Sequence, residues 1–227
     1  MRLIRLRILL SSLSVLTACS TLTQDCLLTA QQQAWQPYRT GQVLRFGRVG
    51  SPRVRTFEVA VAESTVTIRV GGNAPVYLGP GQKYNVHQAD VTMRRTDTVR
   101  YVLTAISSPA RPDSIPFTSF SSLLDLEANG CLPGSSNDAP LFWDVDFVNS
   151  LPLKQLKNGL GLLDTTQHLL PTIKLGGVPY DSVFRLSNQA RGLSYVPRNK
   201  PARLVYYAKS YGVVGFVEGT TLWYRLP

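Results

Sequence analysis

No stretch of this 227-residue chain has the ~20 consecutive apolar residues that a bilayer-spanning helix requires. The most apolar stretches, Ile8 to Leu16 and Leu160 to Leu170, are too short, and the second is broken by Asp164, Gln167 and His168. Histidine is confined to His87 and His168, and cysteine to Cys19, Cys26 and Cys131. Isolated histidines without a cysteine cluster argue against a zinc site. There is no G-x-S-x-G turn to expose a nucleophilic serine. Asn158-Gly159-Leu160-Gly161 lacks the spacing and the preceding buried strand of a dinucleotide loop, so no cofactor is expected. Acid is scarce too, 14 Asp and Glu against 24 Lys and Arg, a net charge of +10. The densest basic groups are Arg45/Arg48/Arg53/Arg55, Arg94/Arg95/Arg100 and Arg198/Lys200/Arg203. A nucleic-acid surface would interleave such a patch with stacking aromatics, and the compartment that the N-terminus implies argues against that use, so nucleic acid is not an expected partner. A basic solvated surface, or one drawn to anionic headgroups or acidic glycans, fits them better.

The N-terminus reads as an address. Arg2, Arg5 and Arg7 form a positive start without an acid, followed by the short apolar stretch diluted by Ser11, Ser12 and Ser14. It closes on Leu16-Thr17-Ala18-Cys19. This quartet resembles the lipobox of type II signal peptides of bacterial lipoproteins. The resemblance implies cleavage before Cys19, with lipid on the Cys19 thiol and acylation of its amine. The first 18 residues are then a signal peptide, 19–26 a lipidated tether and 27–227 a β-rich envelope domain. The resemblance also places Ser20 where an Asp would signal inner-membrane retention, so outer-membrane delivery is expected. Several acyl chains anchor firmly, each buried methylene contributing about 0.8 kcal/mol. Removing residues 1–18 leaves a charge of +7. Once Cys19 carries lipid, Cys26 and Cys131 are an even remainder in an oxidising compartment, and a disulfide between them is expected over two buried thiols.

After the tether, Leu27 to Trp35 reads as a short helix capped by Thr29 and ended before Pro37. The remaining grammar is β. Val43–Phe46, Val54–Val61, Ser64–Val70, Val91–Arg95 and Thr98–Ile106 alternate or are β-branched, with turn residues between them. Residues 107–140, rich in proline, read as a hinge or a long packed loop, with a short helix at Ser121–Ala128 and a subdivision near 132–140. Leu141–Val148, Thr172–Leu175 and Tyr180–Leu186 follow as strands, the last two about the Gly176-Gly177 turn. Arg203–Lys209, Gly212–Val217 and Thr221–Leu226 form an antiparallel meander. The expected fold is mainly β: an antiparallel curved sheet, half-barrel or sandwich, with one or two short helices.

The tail residues Gly177, Tyr180, Val183, Val205 to Phe216, Gly219 and Trp223 resemble those of uncharacterised β-rich envelope lipoproteins. The resemblance implies a curved antiparallel sheet and carries over no catalytic residue. By analogy of fold it suggests an apolar or glycan ligand on the concave face.

Candidate chemistry is thin. Asp144 and Asp146, two apart on a strand, share one face and would suit acid–base work on a sugar, or equally a polar strand face. His87 lies three residues before Asp90 and could form half of a hydrolase triad, or be an ordinary surface histidine. Trp35, Trp143, Trp223, Tyr206, Tyr207, Tyr211 and Tyr224 would build a sugar platform or fill the core. Four Asp-Ser/Thr-apolar (or Thr) triplets present Thr98, Ser114, Thr165 and Ser182, against about one expected from composition. This is the acceptor pattern of periplasmic O-glycosylation, and also the way a turn leads into a strand. Two functions are carried forward. The first is a lipid-anchored envelope lipoprotein that binds a glycan, an apolar ligand or an envelope protein without catalysis. The second is an envelope hydrolase of glycan or peptide.

Overall fold

The computed structural model describes residues 23–70, 82–97, 101–105, 113–115, 121–128, 131–132, 138–143, 147–153, 165–189, 195–197 and 202–227. Among these residues the elements follow in chain order as β1 (Thr23–Cys26), α1 (Ala30–Gln33), β2 (Val43–Arg48), β3 (Ser51–Val70), β4 (Gln82–Arg95), β5 (Tyr101–Ala105), β6 (Asp113–Ile115), β7 (Ser121–Glu127), β8 (Ala139–Trp143), β9 (Phe147–Leu151), β10 (Gln167–Leu175), β11 (Val178–Ser187), β12 (Tyr195–Pro197), β13 (Ala202–Ala208), β14 (Gly212–Glu218) and β15 (Thr221–Arg225). Twelve form one sheet, in the order β10-β11-β13-β14-β15-β2-β3-β4-β7-β8-β9, with β1 added in parallel to β4. A small second sheet runs β12-β5-β6. The fold is mainly β, an open antiparallel sheet curled into a half-barrel.

The curl follows from the core. Phe46 (β2), Phe57 (β3), Trp143 (β8) and Phe216 (β14) meet in one aromatic cluster. In the sheet order β8 lies six strands from β14, a separation of roughly 29 Å if the sheet were flat. The Trp143 and Phe216 rings are 5.1 Å apart. Only a sheet turned back on itself brings them together, and all four side chains are buried. Truncating a buried aromatic costs about 3–5 kcal/mol. The two sheet ends meet at a polar seam. The Gln189 amide donates to the Val148 carbonyl (2.9 Å), and Asn188 Oδ1 accepts from the Val148 amide (3.3 Å). Behind them the buried Gln167 amide donates to Asn149 Oδ1 and the Ser150 carbonyl, both at 3.0 Å.

One end of the curl is plugged from the N-terminal side. Thr29 caps α1 in a reciprocal box with Gln32, as its sequence predicts, but α1 is a single turn. Beyond it Trp35 packs against Phe184 (5.0 Å) and Tyr207. The Tyr207 hydroxyl donates to the Trp35 carbonyl, and the Tyr38 hydroxyl accepts the Val213 amide (2.8 Å). Burial pushes the Tyr38 phenol up to about 12 and holds the Tyr207 phenol well above its ordinary range, so both stay protonated.

Three expectations are corrected. Val54–Val61 and Ser64–Val70 are not two strands but parts of the 20-residue β3, because β4 runs from Gln82 and pairs with it without interruption from Phe57 to Val70. Ser121–Ala128 is a strand, not a helix. Leu124 and Leu126 are good helix formers, but pairing to β4 on one side and β8 on the other outweighs that preference. Leu141–Val148 is split into β8 and β9, paired as a hairpin across residues 144–146.

Cys26 and Cys131 stand at disulfide distance with Cα atoms 5.9 Å apart, inside the usual range. Their placement is informative. β1 occupies the edge of β4 along Lys83–Val86, and β7 takes over the same edge from Gln88 onward. The Ala128 amide donates to the His87 carbonyl at the junction (2.8 Å). The disulfide therefore clasps the end of β1 to the chain just beyond β7. Closing a loop of 105 residues stabilises by about 4–5 kcal/mol in the chain-entropy model. Replacing both cysteines by serine is expected to lower unfolding stability by up to about 4 kcal/mol in denaturant titration, and reduction of the wild type should have the same effect. Equal midpoints for oxidised, reduced and double-serine protein would contradict the clasp.

Candidate functional site

β14 is buried along nearly its whole length, on both faces. Val213 and Phe216 point into the main core, while Val214 joins a second cluster with Leu175, Tyr180, Val183 and Ala208. That second cluster exists because the β10–β11 hairpin folds over the outside of the sheet. Its tip, Gly176-Gly177, has φ of 57° and 89°, as a two-residue type I′ turn requires. A Cβ on Gly176 would lie 2.1 Å from the Tyr224 ring, so the tip rests directly on that ring. A Cβ on Gly215 would meet Leu175 at 3.0 Å, which marks where the hairpin crosses β14. Pro171 interrupts β10, but β10 is an edge strand and needs no amide there.

Beside this overhang lies a cavity of about 310 Å³. Val178 and Tyr180 approach it from β11, Val43 and Arg45 from β2, and Arg225 from β15, with Leu226 and Pro227 directly after it. Tyr211, half exposed in the β13–β14 turn, completes the wall. The β2–β15 pairing makes this possible. Arg225 stands opposite Phe46, and the Leu226 amide donates to the Arg45 carbonyl (2.8 Å), so residues 180 apart in sequence become neighbours. The Tyr180 ring meets Tyr211 edge-on at 5.3 Å. Burial raises the Tyr180 phenol above its ordinary range, Arg225 opposes that shift, and Tyr211 adds to it. The Arg225 guanidinium donates to the Tyr211 carbonyl. Chemically the cavity offers two guanidinium groups, two phenols and an apolar wall. Its lining holds no Asp, Glu, His, Ser, Thr, Cys or Lys side chain.

The anticipated residues fall elsewhere. Cys19, Thr98, Asp144 and Asp146 lie outside the described residues, and Ser114 is described only as backbone on β6, paired with Val102. Thr165 is exposed at the turn before β10. Ser182 has φ of 52°, a bulge-like backbone opposite Pro171, and its carbonyl accepts the Lys209 amide (3.1 Å). His168 has its ring beside the Thr165 carbonyl (3.2 Å). His87 and Asp90 are not joined. Asp90 instead faces Asp125 across β4 and β7, with Glu127 close by. Among the described residues no group of acids, histidines and cysteines has metal-binding geometry. Trp35, Trp143, Trp223 and Tyr207 are core residues, and the concave face is filled by them and their neighbours. Trp223 is flanked by cations, with the Arg55 guanidinium 4.2 Å and that of Arg48 5.5 Å from its ring, and Arg55 is paired with Glu218. The outer cavity was not anticipated. Arg45 stood out only within a basic group, and Tyr211 only among the aromatics.

Comparison with protein-family models, with curated proteins and with solved structures gives no match, so the site is argued from geometry alone.

The acidic pair gives a test. Burial, then Glu127, then Asp90 push the Asp125 carboxyl up to about 6, while one of its oxygens is buried without a hydrogen-bond partner. A carboxyl whose folded pKa is raised contributes stability below its unfolded value, and that contribution is lost as pH rises through the folded one. Asp125→Asn removes this dependence. The variant is expected to gain up to about 1 kcal/mol over wild type at neutral pH, a value discounted for solvent screening, and nothing below pH 3.8, with the gain growing between 3.8 and about 6. Thermal melts across that window check it; a gain independent of pH would contradict the assignment.

Proposed function

We propose that this chain is a lipid-anchored cell-envelope lipoprotein, cleaved before Cys19 and delivered to the outer membrane, whose β domain is a non-enzymatic binding module. The observation that carries the reading is the pairing of Cys26 with Cys131. It uses both cysteines outside the lipobox and leaves Cys19 as the odd one, in the position the signal sequence assigns to lipid. A disulfide also fits an oxidising compartment.

The start of the fold supports the same reading. β1 begins at Thr23, with only Ser20, Thr21 and Leu22 between it and Cys19. A tether of that length reaches about 14 Å at full extension, so a lipidated Cys19 would hold the domain against the bilayer surface. Thr23 is paired with Lys83, which is paired in turn with Arg69. These two cations at the tether root suit anionic headgroups. The disulfide at Cys26 would pass any pull on the anchor directly into the sheet. A binding role is supported by the content of the outer cavity, which combines two guanidinium groups with aromatic and aliphatic surface.

Intact-mass measurement and membrane fractionation of wild type and Cys19→Ala from the native host test the anchor. The expected wild-type mass is that of the chain from Cys19 onward plus lipid, recovered with membranes. Additional hexose masses would locate glycans at Thr98, Ser114, Thr165 or Ser182 after fragmentation. The Cys19→Ala chain should accumulate unprocessed or leave the membrane fraction. An unlipidated wild type, or a variant processed and retained like wild type, would overturn the anchor.

A further inference from the structure

The outer-face cavity brings two arginines, Arg45 and Arg225, to one concavity. Three other arginines have acidic partners: Arg55 pairs with Glu218, Arg94 with Glu58 and Arg95 with Asp97. Neither cavity arginine has an acidic partner among the described residues. The Arg45 guanidinium has no hydrogen bond there, and that of Arg225 donates only to the neutral carbonyl of Tyr211, which fixes its position and leaves the rest of its fork open. Two guanidinium groups lining one concavity offer it positive charge from two strands, and an anion between them would be held by both. The fork geometry matches phosphate or carboxylate oxygens, which accept in pairs.

The remaining surface limits what the anion can be attached to. Val178 and Leu226 present aliphatic surface, and Tyr180 and Tyr211 present ring faces and edges. The volume of about 310 Å³ is at the small end for small-molecule sites and admits a compact body, not a lipid tail. The overhanging hairpin, with Gly176 seated on Tyr224, holds the Val178 and Tyr180 side in place before any ligand arrives. Such pre-organisation lowers the cost of binding.

We propose that this cavity is a binding site for a small organic anion, its single phosphate or carboxylate held by Arg45 and Arg225 and its compact apolar or aromatic body packed against Val178, Leu226, Tyr180 and Tyr211. The inference rests on the domain being a binding module and is independent of the lipid on Cys19.

The test is calorimetric titration of the whole chain, in a neutral detergent, with phenyl phosphate and with benzoate. At least one is expected to bind saturably at one site, more weakly as salt is raised. Arg45→Gln and Arg225→Gln should each weaken binding about tenfold, the size of one lost charge-assisted contact. Phenol, which keeps the body and lacks the charge, and inorganic phosphate, which keeps the charge and lacks the body, should both bind more weakly. Absence of saturable binding by a chain with native near-UV dichroism would overturn the site. So would affinity unchanged in both variants, or inorganic phosphate binding as tightly as phenyl phosphate. If Arg225→Gln loses its native dichroism, Arg45→Gln decides alone, since Arg45 is exposed and its side chain supports no contact. Failure of the titration on a chain shown by mass to carry lipid at Cys19 would remove the site and leave the anchor standing.

Discussion

The contact between Trp143 and Phe216 constrains everything else in this fold. A single antiparallel sheet has one apolar face to bury and no second layer to bury it against. The chain solves this by curling the sheet until strands at opposite ends of its order touch ring to ring, with Phe46 and Phe57 between them. The polar seam of Asn149, Gln167 and Asn188 is a consequence, since the approaching sheet ends must satisfy their amides at the meeting line. So is the plug of Trp35 and Tyr38, which joins the core from the N-terminal side through Phe184 and Val213.

A filled interior decides where a ligand can go. Many curled sheets bind on their concave side, but here the concave side is the core. The second apolar surface lies outside, where the β10–β11 hairpin covers Val214 and Ala208 and creates a sheltered flank. The charge distribution agrees. Arg55 and Arg95 have acidic partners, whereas Arg45 and Arg225 flank the sheltered space with no ion pair among the described residues. The tether root with Lys83 and Arg69 belongs to another part of the sheet, the far end of the β3–β4 hairpin. Attachment and binding thus draw on different strands.

How much of this could be read in advance depended on whether the deciding contact was local. The C-terminal meander was legible because alternation and the Gly-bearing turns at 209–212 and 218–220 are written into adjacent residues. The Thr29 cap was legible for the same reason, and the Cys26–Cys131 bridge by elimination once Cys19 was assigned to lipid. β7 was misread because Leu123 to Glu127 has helical propensity and only its neighbours β4 and β8 impose extension. β3 was cut in two because Ala62-Glu63-Ser64 breaks the apolar alternation, while the cross-strand partner that carries the ladder through lies in β4, part of which was not foreseen. The cavity could not have been read at all. Arg45 and Arg225 meet only through the β2–β15 pairing, and neither sits in a local motif. The Asp90 pairing was missed likewise, its partner being Asp125 across the ladder rather than His87 along the chain.

The most direct test of the account is native-state hydrogen exchange on the whole chain. If one curled sheet around one aromatic core holds the protein together, the amides of Phe46, Phe57, Trp143 and Phe216 will exchange only through a common opening, with the same free energy and the same denaturant dependence. A Trp143 amide that opens separately from Phe46 and Phe57, or a Phe216 amide that does so, would mean that the sheet consists of independent pieces, and would contradict the account.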